Sequence, residues 1–114
     1  MNGLISDPVE ITNQSPELMA RQLAALAHPA RIGILQQLAG CGPSCCGQVV
    51  ENFDLAQSTV SQHLKVLVEA GLVQLRPVAQ RSFYEVDAAA MTRLLQMLSA
   101  LAGQCCDTHP RRSV

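Results

Sequence analysis

Five cysteines are the most chemically distinctive residues of this 114-residue sequence. They are Cys41, the adjacent pair Cys45 and Cys46, and the adjacent pair Cys105 and Cys106. Structural disulfides rarely persist in a reducing compartment, and an odd number of cysteines in clusters favours soft-ion binding or thiol chemistry. A single cysteine is often only a small buried apolar residue, but packing alone does not account for two vicinal pairs. All five are therefore predicted as metal ligands.

A polar stretch in the middle of the chain has the side chains that read DNA. Its predicted DNA contacts are Gln57, Ser58, Thr59, Ser61, Gln62, His63 and Lys65. Glutamine amides form bidentate hydrogen bonds with adenine, hydroxyl groups contact bases or phosphates, and an ammonium group suits a phosphate. An ordinary amphipathic helix with a solvated face is the alternative interpretation of this stretch alone. The surrounding elements favour DNA binding.

Two helices are predicted before this stretch. Ser15, Pro16 and Glu17 give an N-cap, a first-turn proline and an acidic first turn, which begin a helix that ends near Ala27. His28 is predicted as a cap for a second helix, which begins at Pro29 and stops in the Gly40–Pro43 stretch. The second helix is expected to turn four residues inward, namely Ile32, Leu35, Leu38 and Ala39.

The next helices form a helix-turn-helix. Ser44 is predicted to cap a short helix that ends near Asn52, and a longer helix over 57–70 ends before Gly71 as its C′ residue. The longer helix has an aliphatic side of Val60, Leu64, Leu67 and Val68. A reading helix needs such a buried face and short polar groups opposite it.

A β-hairpin and a last helix complete the predicted fold. Strands over 72–76 and 82–86 are joined by 77–81, and Arg76 and Arg81 are predicted to contact DNA from the hairpin. Asp87 caps a last helix whose Leu and Met stripe ends near Gly103. The fold class is therefore mainly α with a β-hairpin wing, a winged helix-turn-helix. The stripe exceeds what a small core needs, which favours a homodimer.

Composition and charge restrict the function classes. The formal net charge is −1, but DNA binding depends on where charges lie rather than on their sum. No stretch approaches the ~20 continuous apolar residues of a membrane helix, and the first residues lack the basic start of a secretory signal. The sequence predicts a cytoplasmic protein without a membrane partner.

Three segments resemble the ArsR/SmtB family of metal-responsive repressors. They are Leu26–Arg31, Gln57–Leu67 and Ala70–Val73, within a match over about residues 16 to 103. The resemblance implies a homodimer built on the first and last helices, a symmetric double-stranded operator, and release of DNA when an inducer binds. It also implies that the chain is not an enzyme and has no catalytic cofactor.

The family's inducer sites match this chain unequally. The zinc type places Asp and His on the last helix, where 88–90 are alanines. One arsenical type has a Cys-x-Cys at the short helix. Here Cys45 matches its first thiol, whereas Gly47 stands at the position of the second thiol. Another arsenical type has a vicinal pair at the end of the last helix, which Cys105 and Cys106 resemble.

As(III) or Sb(III) is therefore the predicted inducer, because both are thiophilic. Such a site needs a third thiolate in addition to the vicinal pair. This third ligand is expected from Cys41, Cys45, Cys46 or an external thiol. Cys41 is favoured because the ends of the second and last helices are expected to be close. Cys45 and Cys46 are also expected to be reactive, since a first helical turn favours the thiolate.

Two alternative functions and a domain division complete the predictions. One alternative is a redox- or persulfide-responsive repressor on the same fold. The other is a soft-metal carrier or a thiol oxidoreductase, although the Cys41-to-Cys45 spacing is not the Cys-x-x-Cys of such enzymes. The predicted division is a flexible arm over 1–14, a DNA-binding and dimerisation domain over 15–104, and a C-terminal tail over 105–114 that starts with the vicinal cysteines.

Overall fold

A computed structural model describes residues 15–106 of the chain. The elements are α1 (Pro16–Leu26), α2 (Pro29–Cys41), α3 (Cys46–Val50), α4 (Gln57–Glu69), β1 (Val73–Val78), β2 (Arg81–Val86) and α5 (Ala88–Cys106). The predicted fold class, a mainly helical winged helix-turn-helix, is confirmed. The predicted flexible arm over 1–14 and the tail from 107 onward lie outside the described residues. Within residues 15–106, no helix is both long and apolar enough to cross a membrane.

Three predicted helix caps are confirmed. The Ser15 hydroxyl accepts a hydrogen bond from the Leu18 N–H at 3.0 Å, and His28 Nδ1 accepts one from the Ala30 N–H at 3.2 Å. A carboxylate oxygen of Asp87 accepts the Ala90 N–H at 3.0 Å. Each cap satisfies a backbone donor that the first turn of a helix leaves unpaired.

The predicted cap of the short helix is wrong. Cys45 is the N-cap of α3, whereas Ser44 is buried and bridges to the hairpin through two backbone hydrogen bonds with Tyr84, of 2.8 and 3.0 Å. The Ser44 hydroxyl donates to the Gly42 carbonyl at 2.9 Å. Because both backbone groups of Ser44 are used in the bridge, the helix begins one residue later than predicted.

The core is aliphatic and centres on α4. Its side chains with less than 2% exposure are Ile34, Leu38, Leu64, Leu67, Leu72, Val49 and Val60. The predicted aliphatic side of α4 is confirmed for Val60, Leu64 and Leu67, which are all 0% exposed. Val68 is half-buried and packs against this core. The prediction that four residues of α2 face the core is wrong for two of them. Ile32 is 45% exposed, and Ala39 is also exposed.

The last helix is longer than predicted and extends beyond Gly103 to Cys106. A glycine ends a helix when it adopts a positive φ, and among the described glycines only Gly42 (81°) and Gly71 (84°) do so. Gly71 is thus confirmed as the residue that ends α4, whereas Gly103 continues α5. Consequently, Cys105 and Cys106 lie in the final helical turn.

The wing is a two-stranded antiparallel hairpin with strands longer than predicted. β1 and β2 pair from Val73 with Val86 to Val78 with Arg81, so only Ala79 and Gln80 form the turn. Ala79 has a φ of 57°, which is the left-handed conformation that two-residue hairpin turns require.

Candidate nucleic-acid interface and thiol groups

The recognition segment presents its polar groups to solvent. Six of the seven predicted DNA-contacting residues of α4 are exposed, namely Gln57, Ser58, Thr59, Ser61, Gln62 and Lys65. They lie opposite the buried aliphatic side, and no acidic residue occurs on α4 before Glu69. This division leaves amides, hydroxyls and one ammonium group on a single outer face, as insertion into a major groove requires.

The first turn of α4 adds backbone donors that the sequence analysis did not consider. Its N-cap, Ala56, makes no side-chain cap hydrogen bond, although the Thr59 and Val60 N–H groups do bond to the Ala56 carbonyl. The preceding N–H groups, of Gln57 and Ser58, lie at the positive end of the helix, which favours a phosphate.

His63 differs from the other predicted DNA contacts because it is half-buried. Its Nδ1 lies 3.3 Å from Arg31 Nη1, and its ring centroid lies 4.5 Å from that of His28. A guanidinium group only donates hydrogen bonds, so His63 Nδ1 is the acceptor and its ring is neutral. The pKa of His63 is lowered by burial, then by the neighbouring charges of His28 and Arg31.

This environment predicts a pH dependence of folding stability. The folded protein favours the neutral His63 ring, so below a pH of about 6.5 the unfolded chain binds more protons. Stability is therefore fully present above the ordinary histidine pKa and is lost as pH falls through the lower pKa of the folded state. We expect thermal unfolding measured from about pH 7.5 to about pH 5 to show this loss. His63→Gln, which keeps an acceptor without titrating, is expected to flatten the profile, and an unchanged profile would contradict the assignment.

The two wing arginines are not equivalent. Arg76 Nη2 forms an ion pair with Glu85 Oε1 at 2.6 Å, and their side chains are 57% and 33% exposed. Arg76 also lies opposite Phe83 in the strand pairing rather than at the tip. Arg81 is exposed beside the turn, where it pairs with Val78. Of the two, Arg81 is better placed to reach a DNA backbone.

The Cys45–Cys46 pair lies where the wing joins the helix-turn-helix. Gln48 Oε1 accepts the Cys45 N–H at 2.8 Å, and Cys46 packs partly buried against the core. Burial and then the charge of Cys45 raise the pKa of Cys46. The pKa of Tyr84 is likewise raised by burial and then by the charge of Cys46. The expected first-turn activation of Cys46 is therefore wrong, because burial and the neighbouring charge of Cys45 both disfavour its thiolate.

The other three thiols are exposed. Cys41 ends α2, and Cys105 and Cys106 end α5. Residues 15–106 contain no group of three or more His, Cys, Asp or Glu residues placed to hold a metal ion. A third ligand for the C-terminal pair is therefore not present within the described part of one subunit, and Cys41 as that ligand stays a prediction. α2 borders the beginning of α5, around Met91, whereas the pair lies at the far end of that 19-residue helix.

Sequence reasoning also missed a polar contact beneath α4. Gln22 of α1 is only 5% exposed, and its Nε2 donates to the Ala70 carbonyl at 3.0 Å. The sequence could have indicated this contact, because Gln22 lies three residues after Met19. This spacing places the Gln22 amide on the apolar stripe of α1.

A family model for bacterial regulatory proteins of the arsR family matches residues 28–74. The chain is 39% identical over 79 residues to a biofilm growth-associated repressor of Agrobacterium fabrum, covering 69% of this chain and 67% of that protein. It is 32% identical over 79 residues to an arsenical resistance operon repressor of Staphylococcus aureus, covering 69% and 75%. The fold also matches a homodimeric winged helix-turn-helix DNA-binding domain from Mycobacterium bovis, with a TM-score of 0.65 at 22% identity over 96% of this chain and 97% of that one.

Proposed function

Because the chain belongs to the arsR family of bacterial regulatory proteins, we propose that it is a homodimeric repressor that binds double-stranded operator DNA. The observation that carries this proposal is the division of α4, with Val60, Leu64 and Leu67 fully buried and its hydroxyls and amides exposed. The buried side fixes the helix, and the outer side enters the major groove. Arg81 of the wing contacts the adjacent backbone.

The dimer is proposed to form through α1 and α5. Part of the apolar stripe of α5 remains uncovered within one subunit, since Leu95 is 64%, Leu98 41% and Leu101 40% exposed, although Leu94 is buried. A second copy of the chain would bury these side chains symmetrically. The Mycobacterium bovis domain of the same fold is itself described as homodimeric.

A charge on this stripe is expected to separate the subunits. Leu98→Glu would bury two carboxylates across a symmetric interface, and an unpaired buried charge is strongly unfavourable. Analytical ultracentrifugation is expected to give a monomer, and operator affinity is expected to fall because one subunit reads only one half-site. Ala89→Glu, which adds the same charge at an exposed position in the first turn of α5, serves as the matched control. A Leu98→Glu variant that remains dimeric would refute this interface.

The proposed inducer is As(III) or Sb(III), bound by Cys105 and Cys106. Both thiols are exposed, and the Staphylococcus aureus relative is named for arsenical resistance. Adjacent side chains on a helix point about 100° apart, so one ion can bind both thiolates only if the last turn of α5 opens. The third ligand then comes from the partner subunit or from an external thiol.

Binding of the metalloid at the end of α5 would release the repressor from DNA. α5 forms the proposed interface, and opening its end changes how the subunits pack and misaligns the two copies of α4. We retain 15–104 as the proposed DNA-binding and dimerisation domain, with the sensing thiols immediately after it.

A gel shift with the DNA upstream of the protein's own gene tests the function. We expect a specific shift that arsenite or antimonite reverses, whereas zinc does not reverse it. Absence of a shift would support the soft-metal carrier or oxidoreductase alternative. Release by polysulfide together with a covalent mass change would support a persulfide-responsive repressor, for which the exposure of Cys41, Cys105 and Cys106 is the favouring observation.

A further inference from the structure

Two polar attachments connect α1 to the recognition helix. The first is at the C-terminal end of α4, where the buried Gln22 amide donates to the Ala70 carbonyl at 3.0 Å. Gly71 has a φ of 84° and turns the chain directly beside this amide, since a Cβ built on it would lie 3.7 Å from Gln22 Nε2. The end of α4 is thus held by a specific side chain of α1.

The second attachment lies near the middle of α4 and passes through Arg31. Its Nε donates to the carbonyl of Ala25, in the last turn of α1, at 2.7 Å. Its Nη1 donates to His63 Nδ1 at 3.3 Å. One planar guanidinium group therefore joins the end of α1 to the recognition helix.

These attachments are directional, unlike the packing around them. The side chains between the helices are aliphatic, including Ala25, Leu64 and Leu67, and apolar burial does not depend on orientation. Hydrogen bonds from planar groups require defined distances and angles. The two contacts therefore add directional restraints to the angle between α1 and α4 that the packing of the aliphatic core sets.

Gln22 is also not the residue that stability alone would select. Its Oε1 is buried and has no hydrogen-bond partner within the described part of the chain, and an unpaired buried acceptor is unfavourable. A leucine at this position would remove that oxygen and add apolar burial. The Gln22 amide therefore combines one unpaired buried acceptor with a directional hydrogen bond to the end of α4.

We propose that Gln22 and Arg31 are positioning residues that set the orientation of α4 on α1. In the homodimer of the proposed function, on which this inference rests, α1 belongs to the interface. The two attachments then transmit the arrangement of the subunits to the recognition helices and fix the distance between them. DNA half-sites lie about one helical turn apart, so a small rotation of α4 in each subunit misplaces both reading surfaces.

The test separates DNA affinity from folding stability. Gln22→Leu removes the first attachment and exchanges one unpaired buried acceptor, Gln22 Oε1, for another, the Ala70 carbonyl. We expect its thermal midpoint to equal or exceed that of the wild type, while operator Kd, measured by fluorescence anisotropy, rises about tenfold. Gln36→Leu, an exposed position on α2, is the matched control and is expected to leave both values unchanged.

Arg31→Lys provides a second variant, because one ammonium group cannot reproduce the planar geometry that spans Ala25 and His63. It is expected to raise operator Kd to a similar extent. An unchanged Kd in both variants overturns the inference, and so does loss of folding in both, which would make the residues purely structural. Failure of the wild-type protein itself to bind operator DNA would instead overturn the proposed function.

Discussion

Replacing Ser61 by glutamate is expected to abolish specific DNA binding while leaving the fold intact. Ser61 is exposed on the outer face of α4, one residue after the fully buried Val60. A carboxylate at this position would enter a groove lined by phosphates, and like charges placed together at an interface cost several kcal/mol. We expect operator affinity to fall more than about a hundredfold, which corresponds to about 2.8 kcal/mol.

The measurement is fluorescence anisotropy with a labelled operator duplex, accompanied by thermal unfolding of each variant. Ala89→Glu is the matched control, because it adds the same charge at an exposed position in the first turn of α5, where the helix dipole tolerates an acidic residue. The control is expected to bind nearly as tightly as the wild type. Equal losses in the two variants would show that total charge, rather than the face of α4, determines binding.

Replacing both Cys105 and Cys106 by serine is expected to make the repressor insensitive to its inducer. The hydroxyl is a poor ligand for a soft metalloid, and these thiols lie on the final turn of α5, away from α4. The double variant should therefore still bind operator DNA. Arsenite should no longer release it, whereas wild-type affinity should fall about a thousandfold, or about 4 kcal/mol.

Titration of the preformed DNA complex with arsenite or antimonite measures this effect. Cys41→Ser is the matched control, since Cys41 is also exposed but lies at the end of α2. The control should release DNA as the wild type does, because within one described subunit Cys41 is not grouped with the C-terminal pair, and an external thiol can complete the site. Normal release of the double variant would exclude Cys105 and Cys106 as the sensor.

Local signals in the sequence were sufficient for most of the fold. Ser15, His28 and Asp87 cap helices as predicted because a cap bonds to a backbone group two or three residues away. Ser44 failed as a predicted cap because its actual partner, Tyr84, is distant in the chain. Gly103 failed as a helix end because a glycine that keeps helical geometry does not stop a helix.

The site was less predictable where it depends on the relative placement of helices. Periodicity located the exposed face of α4 correctly, since a buried side determines its opposite. It could not show that Arg31 lies between Ala25 and His63, because that contact depends on how three helices meet. For the same reason the sequence could not place Cys41 relative to the C-terminal pair, since it gives no measure of the space between two helix ends.

A DNase I footprint on the DNA upstream of the protein's own gene tests the central claim most directly. We predict two protected half-sites on one face of the duplex, with centres about one helical turn apart. We also predict that Ser61→Glu removes both protected half-sites. A specific footprint that Ser61→Glu leaves unchanged, or no protection by the wild-type protein, would contradict the claim that the outer face of α4 reads DNA.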